Sequence, residues 1–92
     1  MIRSFRSKAL KDFAATGNAR KLPVQQADKT RRILLALDAA TAAEQMNIPG
    51  LKFHTLKGAD KGRFSVWVSG NYRITFGWSG EDAIDVDMED YH

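Results

Sequence analysis

The hydrophobic positions of this chain change period once, near Gly50, from helical spacing to alternation. In the first half, Leu10, Phe13 and Ala14 fall on one side of a stretch from Phe5 to about Thr16, which predicts a helix stopped by Gly17-Asn18. Beyond Arg20 and Lys21, Leu22-Pro23 suits the opening of a second helix, because proline is tolerated in a first turn. Val24, Ala27, Ile33, Leu34, Leu37 and Ala40 keep its buried side, while Lys29 and Arg32 lie towards the other, so this helix is amphipathic and basic. Thr41-Ala42-Ala43-Glu44 has the spacing of a capping box and predicts a short third helical turn, closed by Pro49-Gly50. At the start, Ile2 to Ser4 suits a short strand.

After Gly50, Leu51-Lys52-Phe53 is expected as a short strand and His54 to Gly62 as a loop. The three runs that follow can be registered by hydrophobicity alone. With Ser69-Gly70-Asn71 as a three-residue hairpin loop, Val68 faces Tyr72, Val66 faces Ile74 and Phe64 faces Phe76. With Ser79-Gly80-Glu81 as another, Phe76 faces Ile84, Ile74 faces Val86 and Tyr72 faces Met88. Both hairpins share one apolar face, which predicts an α+β domain: N-terminal helices packed on one face of a twisted antiparallel sheet. The other face is expected to be solvated and carries Ser65, Trp67, Arg73, Thr75, Asp85 and Asp87, with Tyr91 following by parity. An indole, a guanidinium and a phenol there can hold a base and its phosphate. A cross-strand ion pair between Arg73 and Asp87 would account for both of those residues without any ligand.

Composition narrows the chemistry. Ninety-two residues make one domain, since a chain of this size buries only about 60 to 65% of its unfolded surface and has none to spare for a second core. Without cysteine, disulfides and thiolate metal sites are excluded, and two histidines do not make a zinc site. Neither a signal-peptide stretch nor a run of about 18 apolar residues is present, so a cytoplasmic protein with no membrane association is expected. Charge is sharply divided: residues 1 to 73 hold all 14 Lys and Arg against five acids, whereas residues 74 to 92 hold six acids and no Lys or Arg. A basic body able to neutralise phosphates suggests a nucleic-acid partner, although charge runs are most often solvated helix faces.

The run Leu51-Lys52-Phe53-His54-Thr55-Leu56-Lys57-Gly58, then Gly62 to Val68, Asn71 to Phe76 and the closing Glu89-Asp90-Tyr91-His92, resembles the HigB toxins of the RelE superfamily. Met1-Ile2-Arg3-Ser4-Phe5 is similar to the start of that family as well. The resemblance implies a RelE-like fold and a ribosome-dependent endoribonuclease, an mRNA interferase cutting mRNA in the A site. It implies a helix-turn-helix, HigA-like antitoxin as partner, with operator DNA reached only through the antitoxin, and neither cofactor nor metal.

By the same resemblance His54, Lys57, Arg73, Asp90, Tyr91 and His92 match the family's functional positions. Attack of a 2′-hydroxyl on its own phosphate requires a base, an acid and a clamp for the added charge. Arg73 and Lys57 suit the clamp, because both stay charged near neutral pH, and Trp67 joins them as a substrate-binding residue. His92 is the preferred proton-transfer group, His54 shares that work or orients the phosphate, Tyr91 stacks on a base or positions the nucleophile, and Asp90 orients His92 or a lysine. Strict parity nevertheless sends Tyr91 to the Arg73 face and Asp90 and His92 to the apolar face, so His92 needs a bulge near residue 89 to join the site. Lys8, Lys11, Lys29 and Arg32, on the helices, are expected to bind the ribosome. Two other functions compete: a ParE-like toxin that binds DNA gyrase, and an RNA-binding module without catalysis.

Overall fold

In a computed structural model of the chain, residues 1–91 are described; the role expected of His92 lies outside them. Helix α1 spans Lys8–Thr16 and α2 spans Ala27–Ala39, and a four-stranded antiparallel sheet follows as β1 (His54–Thr55), β2 (Arg63–Ser69), β3 (Tyr72–Ser79) and β4 (Asp82–Asp90), ordered β1-β2-β3-β4. The α+β architecture expected from the two periods is therefore present. Leu10 and Phe13 of α1 and Ile33, Leu34 and Leu37 of α2 meet Val66, Val68, Ile74, Phe76 and Val86 in a single core on one face of the sheet. Phe53, Phe64 and Phe76 stack along that face at 5.7 Å centroid spacing, adding oriented aromatic contact to the area buried.

Element boundaries move for identifiable reasons. The backbone before α1 is already committed elsewhere: Arg3 N–H donates to the Ala83 carbonyl and Arg6 N–H to that of Val86, each at 2.8 Å. Helix α1 thus begins at Lys8 rather than Phe5, with Ser7 Oγ accepting from Leu10 N–H at 3.1 Å. It ends as expected, at Gly17 with φ 76° and its N–H bonded to the Phe13 carbonyl. The strand expected at Ile2 to Ser4 is reduced to two parallel bridges, Ile2 with Ala83 and Phe5 with Val86, along the free edge of β4. Helix α2 starts at Ala27, because Leu22 and Val24 enter the core from a non-helical lead-in. The third turn is a 3₁₀ helix over Ala43–Met46, and the reciprocal pair that braces it is Thr41 with Gln45, not with Glu44. Strand pairing falls on His54–Thr55 instead of Leu51 to Phe53, where Lys52 adopts φ 50° and breaks extended geometry.

Both hairpin loops contain two residues, Gly70-Asn71 and Gly80-Glu81, each opening on a glycine with positive φ, as tight hairpins require. In the first hairpin an irregularity between Trp67 and Ser69 absorbs the difference, so Phe64 still faces Phe76 and Val66 still faces Ile74; Ser69, not Val68, faces Tyr72. The second does not recover. Between Thr75 and Gly77 the register slips, leaving Asp85 and Val86 opposite Phe76. Asp85 takes φ 51° there, and its N–H donates to Ser4 Oγ at 2.8 Å. In place of the expected partners, Ile74 faces Met88, Tyr72 faces Asp90, Arg73 faces Glu89, and Asp87 faces Thr75. Ile84 lies opposite Gly77, and a Cβ at Gly77 would stand 3.2 Å from Ile84 Cγ1.

The second sheet face also departs from expectation. Rather than being solvated, it buries Ser65 at 1% exposure, Thr75 at 0% and Arg63 at 8%. A buried guanidinium needs acceptors, and Arg63 Nη2 donates to Thr75 Oγ1 at 3.0 Å and to the Asp85 carbonyl at 2.9 Å, while its Nε has no partner among the described residues. The bulge at Asp85 thus has a structural use: it turns a backbone carbonyl towards this arginine.

Candidate active site

Register alone carries Arg73, Glu89 and Tyr91 to one end of the polar face. The Arg73 guanidinium lies 5.4 Å from the Tyr91 ring centroid, and Tyr91 N–H is anchored at 2.7 Å to the Asn71 carbonyl of the hairpin. Across β2, the edge strand β1 pairs His54 with Ser65. Lys57 follows just before a 3₁₀ turn at Gly58–Asp60, where Gly58 has φ 68°. His54, Thr55, Leu56, Lys57, Ser65, Arg73 and Tyr91 together line an open cavity of about 220 Å³. Four of the six expected catalytic side chains therefore share one concavity, although they come from positions 37 residues apart at the extremes.

The cavity is cationic and its cations are available. Neither Arg73 nor Lys57 makes an ion pair among the described residues; the pairs present join Asp82 to Arg3 and to the N-terminus, and Asp28 to Arg31. Glu89 stands across from Arg73, yet its carboxylate accepts from Thr75 Oγ1. Thr75 has one hydroxyl proton, so accepting from Arg63 and donating to Glu89 uses both of its capacities in the only consistent direction. Glu89 is thereby held by an inner polar chain, while the Arg73 guanidinium has no carboxylate partner among the described residues. The ion pair expected between Arg73 and Asp87 does not form.

Tyr91 has its phenol pushed above the ordinary tyrosine value, chiefly by burial and then by the nearby Glu89 and Asp60 carboxylates, with Arg73 and Arg63 opposing. It stays protonated at neutral pH and can donate a hydrogen bond; it is not a base there. His54 makes a defined contact at Nδ1, 2.5 Å from the Lys52 carbonyl. Asp90 faces Tyr72, on the side of Ile74 and Met88, and so follows the parity that sets it apart from Arg73.

Trp67 does not line the cavity. Its Nε1 donates to the Gly70 carbonyl at 3.0 Å, and its ring lies under two ammonium groups, Lys29 Nζ at 3.8 Å and Lys52 Nζ at 4.8 Å from the centroid. Burial, followed by the charges of Arg32 and Lys52, holds Lys29 below the ordinary lysine value. Lys8, Lys11 and Arg32 are exposed. Arg63, Thr75 and Glu89 escaped sequence reasoning as a group. Arg63 shares the parity of Ser65 and Trp67, and extending β2 by one residue would have put it on this face.

A two-helix, four-stranded antiparallel domain with an arginine, a lysine, a histidine and a protonated tyrosine in one concavity defines a class of small proteins equipped to hold phosphate and move protons. The sequence places it within that class. Residues 3–92 match the family described as the RelE-like toxin of type II toxin-antitoxin system HigB, and the chain belongs to that family. It is also similar to the endoribonuclease HigB of Proteus vulgaris, 39% identical over 92 residues that cover the whole of both chains. Membership implies an antitoxin partner, and the gyrase-binding alternative is not favoured.

Proposed function

We propose that this toxin is an endoribonuclease that cuts mRNA in the ribosomal A site, and that His54, Lys57, Arg73 and Tyr91 act from the cavity they share. The observation that carries it is the half-buried guanidinium of Arg73, without an ion pair among the described residues, lining that cavity together with Lys57 and Tyr91. In the reaction the 2′-oxygen bonds to the adjacent phosphorus, the bond from phosphorus to the 5′-oxygen breaks, and a cyclic phosphate and a 5′-hydroxyl result. The 2′-hydroxyl proton passes to an imidazole, and a proton returns to the departing oxygen. Arg73 and Lys57 stabilise the charge that builds on the phosphoryl oxygens, and the protonated Tyr91 donates to substrate. His92, beyond the described residues, and Asp90 complete the set expected by resemblance.

The cavity is small and open, at about 220 Å³, and a ribosome that holds the RNA strand in in-line geometry would supply the positioning such a site does not itself enclose. Lys8, Lys11 and Arg32 supply exposed positive charge for that docking, and the antitoxin is of the HigA-like, helix-turn-helix kind. Mapping mRNA ends after incubating the pure protein with programmed ribosomes tests this directly. Cleavage in the A-site codon is expected, with Arg73→Ala slower by on the order of 10² or more. Intact mRNA with folded protein, or full activity of Arg73→Ala, would refute it.

A further inference from the structure

Trp67 belongs to neither the core nor the cavity, although its Cα is directly opposite Arg73. Lys29 from α2 and Lys52 from the loop before β1 both lie against its indole. Contacts of a desolvating ring with ammonium groups contribute about 0.5 to 1 kcal/mol each at exposed sites. The backbone next to Lys52 is tied to the same residue, Trp67 N–H donating to the Leu51 carbonyl at 2.6 Å. Lys52 itself has φ 50°, a left-handed conformation that is unfavourable for a non-glycine residue and persists only where neighbours impose it.

That strained residue faces the histidine of the site. The Lys52 carbonyl lies 2.5 Å from His54 Nδ1. A carbonyl oxygen can only accept, so the proton of the neutral ring resides on Nδ1, and Nε2 carries the lone pair. A base for a 2′-hydroxyl has to present a lone pair outward, and a ring fixed in the other tautomer would present an N–H instead.

We propose that Trp67 is a positioning residue for His54: by holding Lys52 in its left-handed turn, the indole keeps the Lys52 carbonyl on Nδ1 and leaves Nε2 as the acceptor that meets substrate. The consequence deepens the cleavage function proposed above and rests on it only for the use made of Nε2. Because Lys29 lies on the same ring, α2 and His54 are joined through one side chain.

Long-range proton–nitrogen correlation of the imidazole, recorded on the free protein at a pH where His54 is neutral, reads the tautomer without any RNA. The wild type should show the Nδ1–H form in excess. Trp67→Ala should lower the ratio of Nδ1–H to Nε2–H by roughly two- to fivefold, the loss of one ring–ammonium contact, and Trp67→Phe should restore most of it. Lys52→Met, a change at an exposed side chain, should shift the ratio in the same direction even if Trp67→Ala fails to fold. A wild-type ring mainly in the Nε2–H form, or an unchanged ratio in Lys52→Met, overturns the inference. Since this measurement uses no substrate, its failure is separate from a failure of mRNA cleavage.

Discussion

Thr75→Val tests the inner polar chain behind Arg73. The substitution keeps the branched shape that suits a central strand and removes only the hydroxyl, which is fully buried. Two charge-assisted hydrogen bonds disappear with it, one from Arg63 and one to Glu89. Hydrogen bonds to charged groups are worth about 1.5 to 3 kcal/mol each. Glu89 is only half-buried, so water replaces much of what it loses, whereas Arg63 keeps the Asp85 carbonyl alone and already has an unpartnered Nε. A buried methyl in place of the hydroxyl returns about 0.8 kcal/mol. The net cost should be about 2 kcal/mol, or roughly 8 to 16 °C in Tm for a domain of this size. Thermal and urea unfolding of the variant measure it, and a double-mutant cycle with Glu89→Ala should give a coupling of about 1 kcal/mol. Released from Thr75, Glu89 can swing onto the guanidinium opposite, so ribosome-dependent cleavage should fall further than stability requires. A melting point within about 2 °C of the parent, or additivity within about 0.5 kcal/mol in the cycle, would refute the chain of bonds as a structural unit.

Exposed charge on the helices should serve docking and not chemistry. Replacing Lys8, Lys11 and Arg32 by glutamine is expected to weaken ribosome binding and flatten its salt dependence, while the single-turnover rate on saturating ribosomes is unchanged; an equal fall in both would contradict the assignment. At the N-terminus the Arg3 guanidinium, and after it the N-terminal ammonium, hold the Asp82 carboxyl below its ordinary value against opposing desolvation. A depressed folded-state pKa means that this tie is complete above the ordinary carboxylate range and is lost as pH falls through the folded value. Melting curves between about pH 2 and 6 should therefore show a shallower acid decline for Asp82→Asn than for the parent.

Period and parity carried the helices, the antiparallel hairpins and the first register into view, because each apolar residue of Phe64, Val66, Ile74 and Phe76 constrains its partner across the strand. They failed at Asp85. Nothing in an alternating run such as Ile84-Asp85-Val86-Asp87 marks a bulge, and the cause lies far off in sequence, in Ser4 receiving the Asp85 amide. One slipped residue changes Arg73's neighbour from Asp87 to Glu89 and takes Ile84 to the Gly77 side, so the identity of the carboxylate beside the site was beyond any local pattern. The site residues themselves were legible mainly by resemblance, since a loop histidine and a turn lysine have no periodicity to read.

The same slip bears on how the cavity stays usable. With Asp87 displaced onto Thr75's row, the acid beside Arg73 is one that Thr75 can engage, and Arg63, fixed by the carbonyl of the bulged residue, orients that threonine. A cross-strand pair of opposite charges would ordinarily close on itself, at a gain of about 0.2 to 1 kcal/mol. Here a part-buried hydrogen bond from the Thr75 hydroxyl, oriented by Arg63, competes for the carboxylate in a medium where hydrogen bonds are stronger than at the surface, and it outweighs that gain. The bulge, the buried arginine and the Arg73 guanidinium are consequently one arrangement: strain and desolvation spent on the inner part of the polar face leave Arg73, at its end, without an ion pair among the described residues, where a phosphate has to bind.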